Sequence, residues 1–136
     1  MLKKRVAASL LIKDQILVKG KNFNNHRTLN DIITAIKIFC LRDIDELFIF
    51  DVGKTLEFKN PDFNFLSEIS KNINVPFCYG GGIRTLDDAK WCLWSGADKI
   101  SINSILFENF SLLKNISKII GSQSVAVSID YIKKKK

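Results

Sequence analysis

The stretch from Val75 to Ser104, VPFCYGGGIRTLDDAKWCLWSGADKISINS, decides the fold. Val75 to Tyr79 is a short apolar run that reads as a buried strand, and Gly80-Gly81-Gly82 ends it at once. Thr85 and Asp88 have the spacing of a capping box, with Asp in place of the usual Glu or Gln. They open a helix through Ala89, Cys92 and Leu93. Ser95-Gly96 stops that helix. Lys99 to Ile102 is the next strand, closed by Asn103-Ser104. A strand, a helix and a second strand in so short a span form the repeating unit of a parallel sheet.

The same alternation extends in both directions. Upstream, Val6 to Ile12 reads as a strand, Lys13-Asp14-Gln15 as a turn, and Ile16 to Val18 as a hairpin extension. Gly20 to Leu29 reads as a long polar loop, a kind of segment that often carries function. Asn30 or Asp31 caps a helix reaching about Arg42, and Glu46 to Asp51 is a strand whose centre is wholly apolar. Gly53 to Lys59 reads as a polar loop, and Asn60-Pro61 as a helix start ahead of Phe65, Leu66 and Ile69. Downstream, Leu112 to Ile120 marks a helix stopped by Gly121, and Ser124 to Ile129 a last strand ending on Asp130. Five strands alternate with four helices, which specifies a parallel α/β fold.

Composition excludes other classes. The chain has 136 residues, 46% hydrophobic and 26% charged, as in a globular domain and unlike a disordered one. Its net charge is +7, but the four lysines of the 133–136 tail supply more than half of that. The balance therefore does not point to nucleic acid. No apolar run reaches the roughly 18 residues of a membrane helix, and none has the flanks of a secretory signal. Cys40, Cys78 and Cys92 form no Cys-x-x-Cys pair and sit in apolar contexts, which predicts buried free thiols in a reducing cytoplasm. His26, the one histidine, lies in a polar stretch with no scaffold for a catalytic triad. Neither a metal nor a cofactor is expected. The expected organisation is one domain over 1–132 and the lysine tail.

The chemistry gathers at the C-terminal ends of the strands, where parallel α/β proteins build their sites. Asp51, Asn103 and Asp130 close strands, and the glycine triplet follows another. Gly80-Gly81-Gly82 ahead of a helix can bring backbone N–H groups to an anion, and the helix N-terminus favours negative charge. Asn103-Ser104 adds an amide and a hydroxyl to what reads as a phosphate site. Asp51 and Asp130 are candidate general acid/base groups, and Lys19 is a candidate ligand for an anionic substrate.

These residues carry a resemblance. Lys4-Arg5, Val18-Lys19-Gly20 with Asn22-Phe23, Asp45-Glu46-Leu47 leading to Asp51, and Pro76 leading to Gly80-Gly81-Gly82-Ile83 resemble the HisF family. So do Gly96 to Asn103 and Gly121-Ser122-Gln123 leading to Ile129-Asp130. HisF is the cyclase subunit of imidazole glycerol phosphate synthase. The resemblance implies a cytoplasmic (β/α)8 TIM barrel in histidine biosynthesis. It implies ammonia delivered by a HisH-like glutaminase partner, and a phosphorylated ribotide substrate whose two phosphates are bound one by each half of the barrel. It assigns catalytic positions to Asp130 and Lys19. It assigns substrate and phosphate binding to Gly82, Asn103 and Ser104, with Asp51 placed beside them.

Two departures stand out. The family's catalytic aspartate at the end of strand one is replaced by Leu11, and the neighbouring cysteine by Ser9. Leucine cannot transfer a proton. HisF-like proteins that supply ammonia for amidation of surface-glycan sugars share the leucine-rich first strand ending in Lys-Asp, and are the alternative. The second departure is length, since a complete barrel takes about 250 residues. The expectation is a truncated barrel of four βα units plus strand five, inactive alone, a non-catalytic remnant being the bland reading. Its first and last strands are expected to be bare edges that invite self-association, with Leu10, Ile49, Ile102 and Val127 as candidates for an uncovered face.

Overall fold

The computed structural model describes residues 3–21 and 24–132. Asn22-Phe23 of the family-like stretch, the side chain of His26 and the lysine tail lie outside the described residues. The elements run β1 (Ala7–Lys13), β2 (Ile16–Lys21), β3 (Asn24–Asp31), α1 (Ile32–Cys40), β4 (Glu46–Asp51), α2 (Val52–Leu56) and α3 (Phe63–Ser70). They continue with β5 (Phe77–Gly80), α4 (Leu86–Trp94), β6 (Lys99–Ile102), α5 (Ser104–Glu108), α6 (Phe110–Ile120), a 3-10 turn (Ser122–Ser124) and β7 (Val125–Val127).

One seven-stranded sheet orders them β3-β2-β1-β4-β5-β6-β7. From β1 through β4, β5 and β6 to β7 every neighbouring pair is parallel. These are the five expected strands, and with their connecting helices they form the first half of a (β/α)8 barrel. The other two strands are a hairpin extension. Asp14 and Gln15 both have positive φ, 51° and 65°, the conformation of a tight two-residue turn between antiparallel strands.

The structure corrects the reading at several points. The polar segment 20–29 is largely strand, because β3 is held by main-chain pairing to β2 and needs no apolar face. Consequently β1 is an inner strand, and the sheet edges are β3 and β7. Part of the segment 53–59 is helical, since the Asp51 side chain caps α2 by accepting from Lys54 N at 3.1 Å. The cap of α3 is Asp62, which accepts from Phe65 N at 3.0 Å, and not Asn60. β7 is shorter than the expected 124–129 strand.

The helices cover one face of the sheet. Leu10, Ile12, Leu47, Ile49, Phe77, Tyr79, Ile100 and Ile102 pack in the core with Ile36, Leu66, Ile69, Ala89 and Ile116 from the helices. Leu10, Ile49 and Ile102 are therefore buried, at 5%, 0% and 2% exposure, and are not the uncovered face. Side chains alternate along a strand, so the other face carries Ser9, Leu11, Phe48, Phe50, Ser101 and Ser128. The rings of Phe48 and Phe50 stack there at 6.0 Å. Val127 lies on the helical side but is 45% exposed, because β7 is an edge. At the N-terminal end of the sheet, Lys99 Nζ pairs with the buried Glu46 at 2.7 Å, and Arg5 approaches the same carboxylate at 3.7 Å. Among the described residues no helix is long and apolar enough to cross a membrane.

Candidate functional site

A cavity of about 480 Å3 opens where the parallel strands end. β1 contributes Ser9 and Leu11 to its wall, β4 Phe50 and Asp51, and β5 with the turn after it Gly80, Gly81, Gly82, Ile83 and Arg84. β6 and the start of α5 contribute Ser101 to Ile105, and the segment after β7 contributes Ser128 and Asp130. Of the residues singled out in the sequence, Gly82, Asn103, Ser104, Asp51 and Asp130 meet here. Lys19 does not: it is exposed on β2, and the cavity is built without it.

The glycine triplet makes the turn possible. Gly81 and Gly82 have φ of +131° and +70°, a region open to glycine and strained for other residues. A Cβ on Gly81 would collide with the Asp51 carbonyl, and one on Gly82 with the Lys59 carbonyl. Gly80 has the room problem alone, since its missing side chain leaves space for the Phe50 ring.

Asn103 caps α5 by position, yet its side chain makes no capping bond. Its Nδ2 instead donates to Asp130 Oδ2 at 2.9 Å. Asp51 is buried, and burial pushes its carboxyl above the ordinary carboxylate range against the opposing pull of the Lys54 N–H. The N-terminus of α4 carries the expected Thr85–Asp88 capping box. Asp88 Oδ2 accepts from Arg84 N at 3.1 Å and Thr85 N at 2.9 Å, and Thr85 Oγ1 accepts from Asp88 N at 3.0 Å. The capping box thus sets a carboxylate of the chain itself at the helix start, where it takes the N–H groups of the two residues just ahead of α4.

Among the described residues no group of three or more His, Cys, Asp or Glu is placed to hold a metal ion. Cys78 and Cys92 are buried free thiols, each pushed up to about 12 by burial, and Cys40 is half-buried and free. Reading the sequence missed Arg84 and Phe58. Arg84 stands two residues beyond Gly82, a local signal that was there to be used. Phe58 reaches the cavity only through the path of its loop, for which no local signal exists.

Residues 5–136 match a family model described as histidine biosynthesis protein. The imidazole glycerol phosphate synthase subunit HisF of Campylobacter jejuni subsp. jejuni serotype O:6 is 42% identical, over 98% of this chain and 52% of its own length. That of Campylobacter lari is 43% identical over 98% and 52%, and that of Buchnera aphidicola is 42% identical over 96% and 50%. The chain thus spans about half the length of the curated relatives it matches. It belongs to the histidine biosynthesis protein family, and its relatives there are HisF subunits of imidazole glycerol phosphate synthase.

Proposed function

We propose that this chain carries the first-phosphate half of a HisF-type cyclase site. Gly82, Asn103 and Ser104 hold one phosphate of a phosphorylated ribotide, and Asp130 is the acid/base group. The observation that carries this reading is the convergence of these four residues on one cavity, with Asn103 bonded to Asp130 at 2.9 Å. In this reading a HisH-like glutaminase subunit supplies the ammonia, the setting is the cytoplasm, and no metal or other cofactor takes part. Asp51, in the same lining, is read as a further substrate-binding residue. A role for Lys19 rests on the family resemblance alone.

Titration with inorganic phosphate tests the site. Amide resonances of Gly81, Gly82 and Asn103 are expected to shift together and saturate. Shifts confined to the lysine tail would leave simple charge attraction and overturn the reading.

One observation favours a second reading. Leu11 stands in the cavity wall, where the resemblance calls for an aspartate. A HisF-like subunit that only passes ammonia on, for amidation of a surface-glycan sugar, has no need of that carboxylate. The chain by itself is expected to give no detectable imidazole glycerol phosphate from ammonium and the ribotide. Joined to the C-terminal half of the Campylobacter lari relative, the two readings separate. Leu11→Asp in that chimera should raise cyclisation by about 10² to 10⁴ if the ancestry is a cyclase's. An unchanged rate favours the amidation reading.

A further inference from the structure

We infer that Arg84 is the cationic ligand of this cavity: its guanidinium, laid on the Phe58 ring, offers its edge to the phosphate that the glycine turn cradles, and Phe58 is the residue that positions it. The inference rests on the anion-binding reading above and names a side chain that reading lacks.

The charge balance of the cavity requires a cation. Its described lining includes three carboxylates, Asp51, Glu108 and Asp130, and one basic side chain, Arg84. The α4 N-terminus does not supply it, because its first turn carries Asp87 and Asp88, and Asp88 accepts from the N–H groups of Arg84 and Thr85 just ahead of the helix. A phosphate bound by backbone and hydroxyl donors alone would sit unneutralised beside carboxylates.

Arg84 is free to serve. Its side chain is half-buried, and among the described residues no carboxylate lies within ion-pair distance of it. The guanidinium carbon is 4.8 Å from the Phe58 ring centroid. Stacking uses the face of the guanidinium and leaves its in-plane N–H groups for a bidentate acceptor such as phosphate.

Phe58 is placed for this at some cost. It is 78% exposed, and its φ of 54° is a left-handed conformation uncommon for a bulky residue. The loop that presents it is pinned on both sides of the ring. Glu57 N donates to Gly53 O at 2.9 Å and Lys59 N to Lys54 O at 3.0 Å. The Lys59 carbonyl lies directly over Gly82. The loop therefore sets Phe58, Arg84 and the glycine turn side by side in one wall.

Inorganic phosphate affinity, read from the Gly82 and Asn103 amides, tests the assignment on four variants. Arg84→Met should weaken binding about tenfold, the value of one charge-assisted contact. Arg84→Lys keeps the charge but loses the fork, and should weaken it by about threefold. Phe58→Leu keeps Arg84 and should also cost about threefold through lost positioning. Lys59→Gln removes a charge of the same loop that is paired with Glu57, and should leave affinity unchanged. If wild type binds phosphate and Arg84→Met binds it as well, the Arg84 assignment is wrong while the anion site stands. If Phe58→Leu matches wild type, Phe58 does not position it. If wild type shows no site at all, the anion-binding reading falls and this inference with it. Arg84→Lys retains stem and charge, so a folding defect in Arg84→Met still leaves a decisive measurement.

Discussion

Asn103 Nδ2 reaches across from the end of β6 to donate to Asp130 Oδ2 at 2.9 Å, so the amide closing one strand fixes the carboxylate that follows the next. The same side chain makes no capping bond to α5. Its amide is turned toward Asp130 and leaves the start of α5 without a side-chain cap.

The Asn103–Asp130 bond predicts the effect of Asn103→Asp. A second carboxylate would replace the donor at the same distance, and two such groups cannot both stay ionised without mutual repulsion. Sulfate binding at the glycine turn should weaken about tenfold near neutral pH. Affinity equal to that of wild type would separate Asp130 from the anion site.

Asp51 makes a prediction about stability. Burial raises its folded pKa above the unfolded value, so the folded state holds that proton more tightly. Its contribution is then fully present below the unfolded pKa and is lost as pH rises through the folded pKa. Asp51→Asn keeps an oxygen to cap Lys54 N and removes the ionisation. Thermal unfolding should show the variant gaining on wild type from acid to neutral pH. A difference between them that does not change with pH would mean that Asp51 ionises without penalty.

What could be read from the sequence follows the range of the interactions. The Thr85–Asp88 capping box, the Gly121 stop and the glycine turn are local and were legible. The faces of the strands were not. Leu47-Phe48-Ile49-Phe50 is apolar throughout, so period-two reasoning cannot say which residues meet the helices. The helices put Leu47 and Ile49 in the core and leave Phe48 and Phe50 half-exposed on the other face. β3 was missed because a polar strand paired through its backbone has no apolar signature. The Arg84–Phe58 stack was missed because it joins two loops distant in sequence. At the site, five of the six expected residues line the cavity, because strand ends in a parallel sheet converge whatever the details of packing.

The α3 cap offers a direct check on local placement. Asp62 accepts from Phe65 N at 3.0 Å and from Gln15 Nε2 at 2.9 Å, and these bonds hold its carboxyl below the ordinary range. A lowered carboxylate contributes stability above its unfolded pKa and loses it as pH falls through the folded value. Asp62→Ala should destabilise by about 1 kcal/mol at neutral pH, and by less in acid. Asn60→Ala, at the position the sequence favoured, should stay within about 0.5 kcal/mol of wild type. Chemical denaturation of the two variants decides between the caps.

The open side of the sheet predicts how the chain behaves in solution. Among the described residues β7 pairs with β6 alone, so its far edge presents unpaired backbone groups. Val127 is 45% exposed, and beyond it Ile129 is 63%, Tyr131 87% and Ile132 93% exposed. On the face away from the helices, Leu11, Phe48 and Phe50 are only half covered. β1, by contrast, is protected by the hairpin, so the exposure lies at one edge and one face. A second copy can cover both by pairing β7 to β7 and closing the apolar faces together. Sedimentation of the 136-residue chain at low micromolar concentration should therefore show dimers or larger species that dissociate on dilution. Val127→Lys puts a charge on the edge strand and should shift the distribution toward monomer without altering β1 to β6. A single monomeric species that melts cooperatively would mean that the chain tolerates a bare strand edge and a half-covered aromatic face within a stability of only roughly 5–15 kcal/mol, and would overturn the prediction.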